Sequence, residues 1–305
     1  MKTDALNRRS RFAKPQPLDL KLITTERDLA IYRALDRHGK LSTNYLYELT
    51  RDFGQDYSFL QKRLTQLYNG YCTHPDHKSE NKDGHVCKPI TFLTRDAPQF
   101  NNFEARYQPL VYGLTPLARK ILEDNGTATL KFRRSNSFIH DFFLSCFTAS
   151  LELKAKRFIF RDEILKKAGA DKAAFNDLVP DDIFGIELEE GGFRFFALEI
   201  DRATMRVNTT DYIPSSIEKK IAGYENILDG GFKSLVPNLT VLFATTSEAR
   251  VQTMLASVEG KRWAHKFRFK HFDDFGENWR VPRETLNVFE GWQSTKGEQD
   301  ISKRV

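Results

Sequence analysis

The stretch that decides the fold is Phe193–Asp201, which reads FRFFALEID. Apolar and aromatic residues fill most of it, and two acidic residues, Glu199 and Asp201, stand at its end. Successive side chains of a β-strand point to opposite faces, so the two acids share one face while Leu198 and Ile200 share the other. The stretch therefore predicts a buried strand that ends in two carboxylates on the same face.

The surrounding sequence predicts a layered domain around this strand. Residues 183–188 (IFGIEL) form a second apolar run, and the turn residues Glu-Glu-Gly-Gly separate it from the first, so the two runs predict a β-hairpin. Further along, the patterns predict a helix, a strand, a helix and a strand at residues 214–228, 239–244, 247–258 and 267–272. This alternation of helices and strands is typical of an α/β domain.

The acidic residues predict a metal site. Asp181 comes just before the hairpin, and strand pairing would bring it to the sheet edge where Glu199 and Asp201 lie. Clustered carboxylates repel one another unless a cation lies between them, and Mg²⁺ prefers carboxylate oxygens and water. We expect Mg²⁺ or Mn²⁺ at Asp181, Glu199 and Asp201, with Glu163 as an additional ligand. The alternative is that these acids decorate the strand end and bind nothing.

The N-terminal part has the pattern of a DNA-binding domain. Three helical patterns, two short extended runs and a fourth helix opening at Thr115-Pro116 are the order of a winged helix-turn-helix. Residues 1–130 hold 20 basic and 15 acidic side chains, which is compatible with a nucleic-acid partner. Lys62 and Arg63 on the third helix are the predicted DNA contacts. The alternative is a helical domain used only for protein contacts.

Two resemblances follow from these motifs. Asp181 followed by Glu199-x-Asp201 resembles the PD-(D/E)XK nuclease signature, and the order of motifs along the chain resembles the replication-relaxation family. The matching pieces are residues 112–119 (YGLTPLAR), 138–140 (FIH), 179–181 (VPD), 197–204 (ALEIDRAT) and 220–224 (KIAGY).

The resemblance implies a winged helix-turn-helix domain followed by a PD-(D/E)XK restriction-endonuclease-like α/β domain. It also implies a DNA-binding protein of plasmid or phage replication, relaxation and mobilisation, with metal-dependent DNA nicking. Double-stranded DNA is the implied partner, with replication or mobilisation proteins and a homodimer as further expectations.

The sequence departs from the nuclease signature at one position. The signature has Lys where this chain has Asp201, and a lysine stabilises charge on the attacked phosphate. Some proteins that resemble this pattern supply the lysine from the next helix. On that helix, Lys220 lies nearer the apolar stripe than Lys219. Lys220 is therefore the expected catalytic lysine, together with Asp181 and Glu199, and the alternative is an inactive DNA-binding regulator or replication accessory protein.

The expected domain boundaries are a basic arm at 1–22, the DNA-binding domain at 23–130, the nuclease-like domain at 131–275 and a polar, disordered tail at 276–305. No apolar run approaches the roughly 18–20 residues of a membrane span, and no secretory signal is evident. Three cysteines do not suit a disulfide framework. We expect a cytoplasmic protein without a membrane partner.

Two further sets of residues have binding chemistry. One set is a candidate zinc site, with a polar His-rich loop as the alternative: Cys72, His74, His77, His85 and Cys87. The other is a row of cations on one strand face, which would hold phosphates or form an ordinary solvated face: Lys266, Arg268 and Lys270.

Two single residues have a structural and a catalytic interpretation. His140 lies on an apolar helix, where a hydrogen-bonded buried histidine is the expectation and a catalytic base the alternative. The replication-relaxation resemblance also has a histidine at this place. Tyr224 shares the apolar stripe of its helix, so core packing is expected and a nucleophilic role in DNA relaxation is the alternative.

Overall fold

The structure is a computed structural model. It describes residues 15–18, 21–54, 56–72, 89–100, 107–130, 137–168, 178–202, 217–231, 238–276 and 278–304. The chain divides into two compact units. The first unit comprises Met1–Lys131 and Arg280–Thr285, and the second comprises Phe132–Trp279 and Leu286–Val305.

The first unit combines helices with a small antiparallel sheet. Its described helices are α1 (Glu26–His38), α2 (Thr43–Leu49), α3 (Tyr57–Asn69) and α4 (Pro116–Asp124). Its described strands are β1 (Leu41–Ser42), β2 (Leu93–Thr94) and β3 (Val111–Leu114), with β3 in the centre.

Threonine side chains cap two helix starts of this unit. The Thr25 hydroxyl accepts from the Asp28 amide, and the Asp28 carboxylate accepts from the Thr25 amide at 2.8 Å, which completes a capping box. Thr115 caps α4 in front of Pro116. At the end of α3, Gly70 has a φ of 67°, and a Cβ there would lie 2.0 Å from the Ile90 carbonyl oxygen, so only glycine fits.

The second unit is built around a seven-stranded sheet. Its described helices are α5 (Phe138–Lys154), α6 (Arg161–Ala168), α7 (Ile217–Asn226) and α8 (Glu248–Val258). Its described strands are β4 (Phe158–Ile159), β5 (Asp182–Glu187), β6 (Phe193–Asp201), β7 (Thr240–Thr245), β8 (Phe267–His271), β9 (Trp292–Ser294) and β10 (Gly297–Gln299). Their order is β10-β9-β8-β7-β6-β5-β4. The predicted mixture of helices and strands is confirmed.

Strand β6 lies inside this sheet and is covered on both faces. It pairs antiparallel with β5 and parallel with β7, which in turn pairs parallel with β8. Odd-numbered residues such as Ala197 pack in a core with α7 and α8, through Ile221 and Val251. On the other face, Phe196 stacks on Phe184, whose ring contacts the aromatic side of α5. Glu199 and Asp201 are therefore directed toward α7 and α8.

The prediction of a disordered tail is wrong. Trp292 is fully buried, and β9 joins the large sheet through the pair Phe269 and Gln293. The Trp292 ring lies 6.1 Å from that of Phe147, and its indole N–H donates to the Val288 carbonyl at 2.8 Å. A few buried anchors thus order a segment whose composition is mostly polar, because one large aromatic side chain buries enough surface to hold it.

Residues 280–285, which lie between the two segments of the second unit, belong to the first unit. The Val281 amide donates to the Gln108 side chain at 3.0 Å, and the Asn44 side chain donates to the Arg283 carbonyl at 3.1 Å. The chain thus returns to its first unit before it completes the second.

None of the helices in the described part of the chain is long and apolar enough to cross a membrane.

Candidate functional site

The carboxylate of Glu199 lies near the end of β6, and α7 supplies both of its described partners. Glu199 is 1% exposed. Its Oε2 contacts the Lys220 ammonium, and its Oε1 accepts from the Tyr224 hydroxyl at 2.6 Å. Lys220 and Tyr224 are four residues apart, which places them on neighbouring turns of one helix face. The buried carboxylate thus receives one charged and one neutral donor.

Asp181 lies beside Glu199, where β6 ends and β5 begins. The antiparallel register sets Asp182 opposite Leu198, so Asp181, one residue earlier, comes opposite Glu199. The Ile200 amide donates to Asp181 Oδ2 at 2.8 Å. His140 Nε2 lies 3.2 Å from the same oxygen, while its Nδ1 lies 3.5 Å from Asp141 Oδ1. Helix α5 therefore fixes the carboxylate of Asp181 from the face opposite to α7.

The pKa values of the two carboxylates are shifted in opposite directions. Burial raises the pKa of Glu199 and the charge of Lys220 lowers it, while the charge of Asp181 raises it again, to about 7. Burial also raises the pKa of Asp181, but the hydrogen bond and charge of His140 outweigh this, and the pKa is lowered. Neighbouring acids whose pKa values are shifted apart are typical of sites that carry out acid–base chemistry.

Two cations balance these acids. Burial lowers the pKa of His140, but hydrogen bonds to Asp141 and Asp181 and their charges raise it to about 9. Burial likewise lowers the pKa of Lys220, and the charges of Glu199 and Asp181 raise it above its usual value. Both side chains are therefore protonated at neutral pH.

Asp201 has a different partner. Its carboxylate receives both Nε and Nη2 of Arg250, the latter at 3.1 Å, and accepts from the Thr245 hydroxyl at 3.2 Å. Both Asp201 and Arg250 are largely buried. The guanidinium from α8 neutralises this carboxylate and engages both of its oxygens, so these contacts do not support Asp201 as a metal ligand.

Glu163 is also separate from the pair of acids. It is exposed at the start of α6, where its Oε1 accepts from the Phe160 amide at 3.4 Å. The described partners of Asp181 and Glu199 do not include it, so it caps its own helix. Among residues 15–304 that are described, no group of three or more His, Cys, Asp or Glu side chains is arranged to hold a metal.

The two predicted DNA contacts of α3 have different surroundings. Lys62 is exposed, and its Nζ lies 5.5 Å from the centre of the Phe59 ring. Arg63 instead pairs with the buried Asp28 through Nε at 3.0 Å and Nη2 at 2.6 Å, and also donates to the Ile23 carbonyl. Arg63 therefore links α3 to the start of α1, and its assignment as a DNA contact stays a prediction.

The predicted row of cations on β8 is partly covered. Arg268 is 6% exposed, and its Nη1 donates to the His265 and Phe267 carbonyls. Lys270 donates to the Asn287 carbonyl at 2.6 Å, and burial lowers its pKa to about 8. The C-terminal residues that were expected to be disordered cover Lys270 through the Asn287 and Glu290 carbonyls, whereas Arg268 is held by carbonyls next to its own strand. Lys266 is partly exposed.

The candidate zinc residues lie mostly outside the described residues, namely His74, His77, His85 and Cys87. Cys72 is described and takes part in a disulfide. A disulfide sulfur is no longer a thiolate, so Cys72 is removed from the predicted zinc set.

Sequence reasoning missed three partners of the carboxylates. Tyr224 is buried, as core packing predicted, but its hydroxyl also donates to Glu199, and burial raises its pKa well above the usual value. That pKa disfavours a phenolate nucleophile. The polar contact of His140 was expected, but its partner Asp181 was not. Arg250 could have been anticipated from the sequence. It lies in the first turn of α8, the helix that follows β7, and β7 is the parallel neighbour of β6.

Comparison with known proteins adds no relative. No family model, no curated protein and no solved structure matches this chain. The contacts around Glu199 and Asp181 are therefore the basis for a functional proposal.

Proposed function

We propose that this chain is a DNA-binding protein whose second unit cleaves phosphodiester bonds with the help of Mg²⁺ or Mn²⁺. The observation that supports it is that Asp181, Glu199 and Lys220 lie close together. Asp181 immediately precedes β5, Glu199 is on β6 and Lys220 is on α7. Two acids and a lysine at one sheet edge are the elements that the PD-(D/E)XK resemblance requires, with the lysine supplied from the helix.

The two acids suit a hard divalent cation. Mg²⁺ is commonly held by one or two carboxylates and several waters. Both described hydrogen bonds to Asp181 go to Oδ2, so within the described residues its Oδ1 is the oxygen left for a ligand. Glu199 accepts one donor at each oxygen, and a carboxylate has about four lone-pair sites. Asp181 and Glu199 would hold the cation, which supplies Lewis-acid polarisation of the phosphate and a more acidic bound water.

The protein's own residues would then orient and balance charge. Lys220 offers an ammonium at the cluster, suited to the charge that develops on a phosphate under attack. His140 holds Asp181 from one side and Tyr224 holds Glu199 from the other. These two are positioning residues, because each touches a carboxylate and neither is the group that meets the substrate.

The first unit would supply DNA binding. Its helices and three-stranded sheet support a winged helix-turn-helix, with α3 as the recognition helix and Lys62 on its exposed side. Membership of the replication-relaxation family, a role in plasmid or phage replication, and replication or mobilisation partners are parts of the same proposal. Homodimer formation and a cytoplasmic location belong to it as well.

The test is nicking of supercoiled plasmid DNA with Mg²⁺ or Mn²⁺, with a chelator as the blank. We expect wild type to produce nicked circles, and Glu199→Gln and Lys220→Met to slow this by about 100-fold or more. The matched control is Lys219→Met, which removes an exposed lysine next to Lys220 and should stay within about twofold of wild type. Nicking by the two cluster variants at the wild-type rate would refute the assignment.

A second candidate is a DNA-binding regulator without catalysis. The observation that favours it is Asp201, which stands where the nuclease signature has lysine and is neutralised by Arg250. DNA retardation in a gel without nicking under either metal would support this candidate and reject the nuclease.

A further inference from the structure

The second unit contains a cleft of about 370 Å³ whose charged lining is entirely basic. Five Lys or Arg side chains face it, with His265 beside them: Arg194, Lys266, Arg268, Lys296 and Arg304. Among the described residues that line it there is no Asp or Glu. A partly enclosed set of like charges is the arrangement expected of an anion site.

The fold builds this cleft at the opposite end of the parallel strands from Glu199. Arg194 is the second residue of β6, and Arg268 is the second residue of β8, with Thr240 at the start of β7 between them. The register aligns Thr240 with Phe196 and Arg268 with Leu242, so the even-numbered residues of the three strands share one face. The carboxylate cluster lies near the carboxyl end of β6, so the two sites are distinct.

The C-terminal segment completes the lining. Lys296 lies in the turn between β9 and β10, and Arg304 follows β10 near the end of the described chain. A Cβ on Gly192 would lie 3.9 Å from the Arg304 guanidinium, and Gly192 has a φ of 84°. The hairpin turn between β5 and β6 therefore brings bare backbone to the same cleft, where a ligand can approach closely.

The cations interact unfavourably with one another. Burial lowers the pKa of Arg268 to about 10, and the charge of Arg194 contributes. Burial and the charges of Arg194 and Arg268 also lower the pKa of Lys266. Each lowered pKa means that the charged form is destabilised where it stands. An anion in the cleft would reverse this effect.

The nearby acids lie outside the cleft; burial lowers the pKa of Arg194, and the charge of Glu190 only partly opposes this. The Glu190 carboxylate accepts from the Arg304 backbone amide at 3.1 Å, and Glu189 accepts from the Ser302 hydroxyl at 3.3 Å. Both acids are exposed, and neither lines the cleft. Arg268 is also held in place by two backbone carbonyls, so one guanidinium is positioned before any ligand arrives.

We propose that this cleft binds a compact anion with two or more phosphate groups, such as the polyphosphate part of a nucleotide or the phosphorylated end of a DNA strand. Five cations exceed what one phosphate neutralises, and a volume of about 370 Å³ lies at the small end of ligand pockets. Arginine forks suit phosphate oxygens bidentately, which adds geometric selectivity over chloride. The site is independent of the proposed nuclease.

The test is calorimetric titration of the full chain with pyrophosphate, without divalent metal. The probe variant is the double change Lys296→Ala and Arg304→Ala, two exposed cations of the cleft. The matched control is Lys261→Ala and Arg262→Ala, two exposed cations that pair with acids elsewhere. We expect saturable binding to wild type and control, weakened about tenfold or more in the probe variant.

Further titrations identify the source of the phosphates. A nucleoside triphosphate that competes with pyrophosphate, while a 5′-phosphorylated oligonucleotide does not, indicates a free nucleotide, and the reverse indicates a DNA end. Absence of saturable pyrophosphate binding, or equal weakening in probe and control, overturns the proposal. Glu199→Gln should leave pyrophosphate binding unchanged, so failure of the nuclease and failure of this site are distinguishable.

Discussion

The ion pair of His140 with Asp181 and Asp141 makes the stability of the second unit depend on pH. Folding raises the pKa of His140 from 6.5 to about 9, because the two carboxylates outweigh the opposing effect of burial. At about 1.4 kcal/mol for each tenfold change in proton affinity, this corresponds to about 3 kcal/mol of unfolding free energy. Because folding raises the pKa of His140, its contribution to the unfolding free energy is fully present below pH 6.5. This contribution is lost as the pH rises through about 9.

Urea unfolding at a series of pH values, in wild type and His140→Gln, measures this contribution. All three tryptophans lie in the second unit, so their fluorescence follows that unit. The wild type should be more stable than the variant by about 3 kcal/mol at pH 6, and the difference should shrink toward zero above pH 9. The raised pKa of Glu199 also lowers the unfolding free energy as the pH rises from 4.5 to about 7. This effect is common to wild type and His140→Gln, so it does not enter their difference.

A direct measurement provides the refutation. The His140 imidazole signals can be assigned in NMR spectra by their loss in the Gln variant. Titration of that ring near pH 6.5, or a stability difference that stays constant from pH 6 to 9.5, would show that the carboxylates do not hold the charge.

Two further variants test other parts of the second unit. Asp201→Asn leaves the guanidinium of Arg250 largely buried without its counter-charge, and should lower the unfolding free energy by about 3–5 kcal/mol in urea denaturation. A loss below about 1 kcal/mol would contradict the ion pair. Trp292→Ala removes a fully buried indole and should cost about 3–5 kcal/mol by the same assay. Unchanged stability of this variant would mean that the C-terminal strands do not pack on the sheet.

Local patterns were sufficient to predict the strand and helix faces of the site. The alternation in Phe193–Asp201 put Glu199 on one face of the strand, and the apolar stripe of α7 separated Lys220 from Lys219. Both signals depend on neighbours within a few residues. In the structure, Lys220 is half-buried and reaches Glu199, while Lys219 is exposed.

The missing parts of the site depend on residues far apart in the chain. His140 and Asp181 are separated by 41 positions, and Asp201 and Arg250 by 49. Such pairs are decided by how α5 and α8 pack on the sheet, which composition and periodicity do not specify. The C-terminal segment was misjudged because its average polarity concealed Trp292, a single anchor that outweighs its neighbours.

The path of the chain through its two units has a consequence for biosynthesis. Residues 280–285 complete the first unit, and the strands Trp292–Ser294 and Gly297–Gln299 complete the second. A nascent chain that emerges from its N-terminal end therefore cannot finish the first unit before residues 280–285 have been made, or the second before residues 292–299 have been made. A chain that ends before residue 280 would lack part of both units.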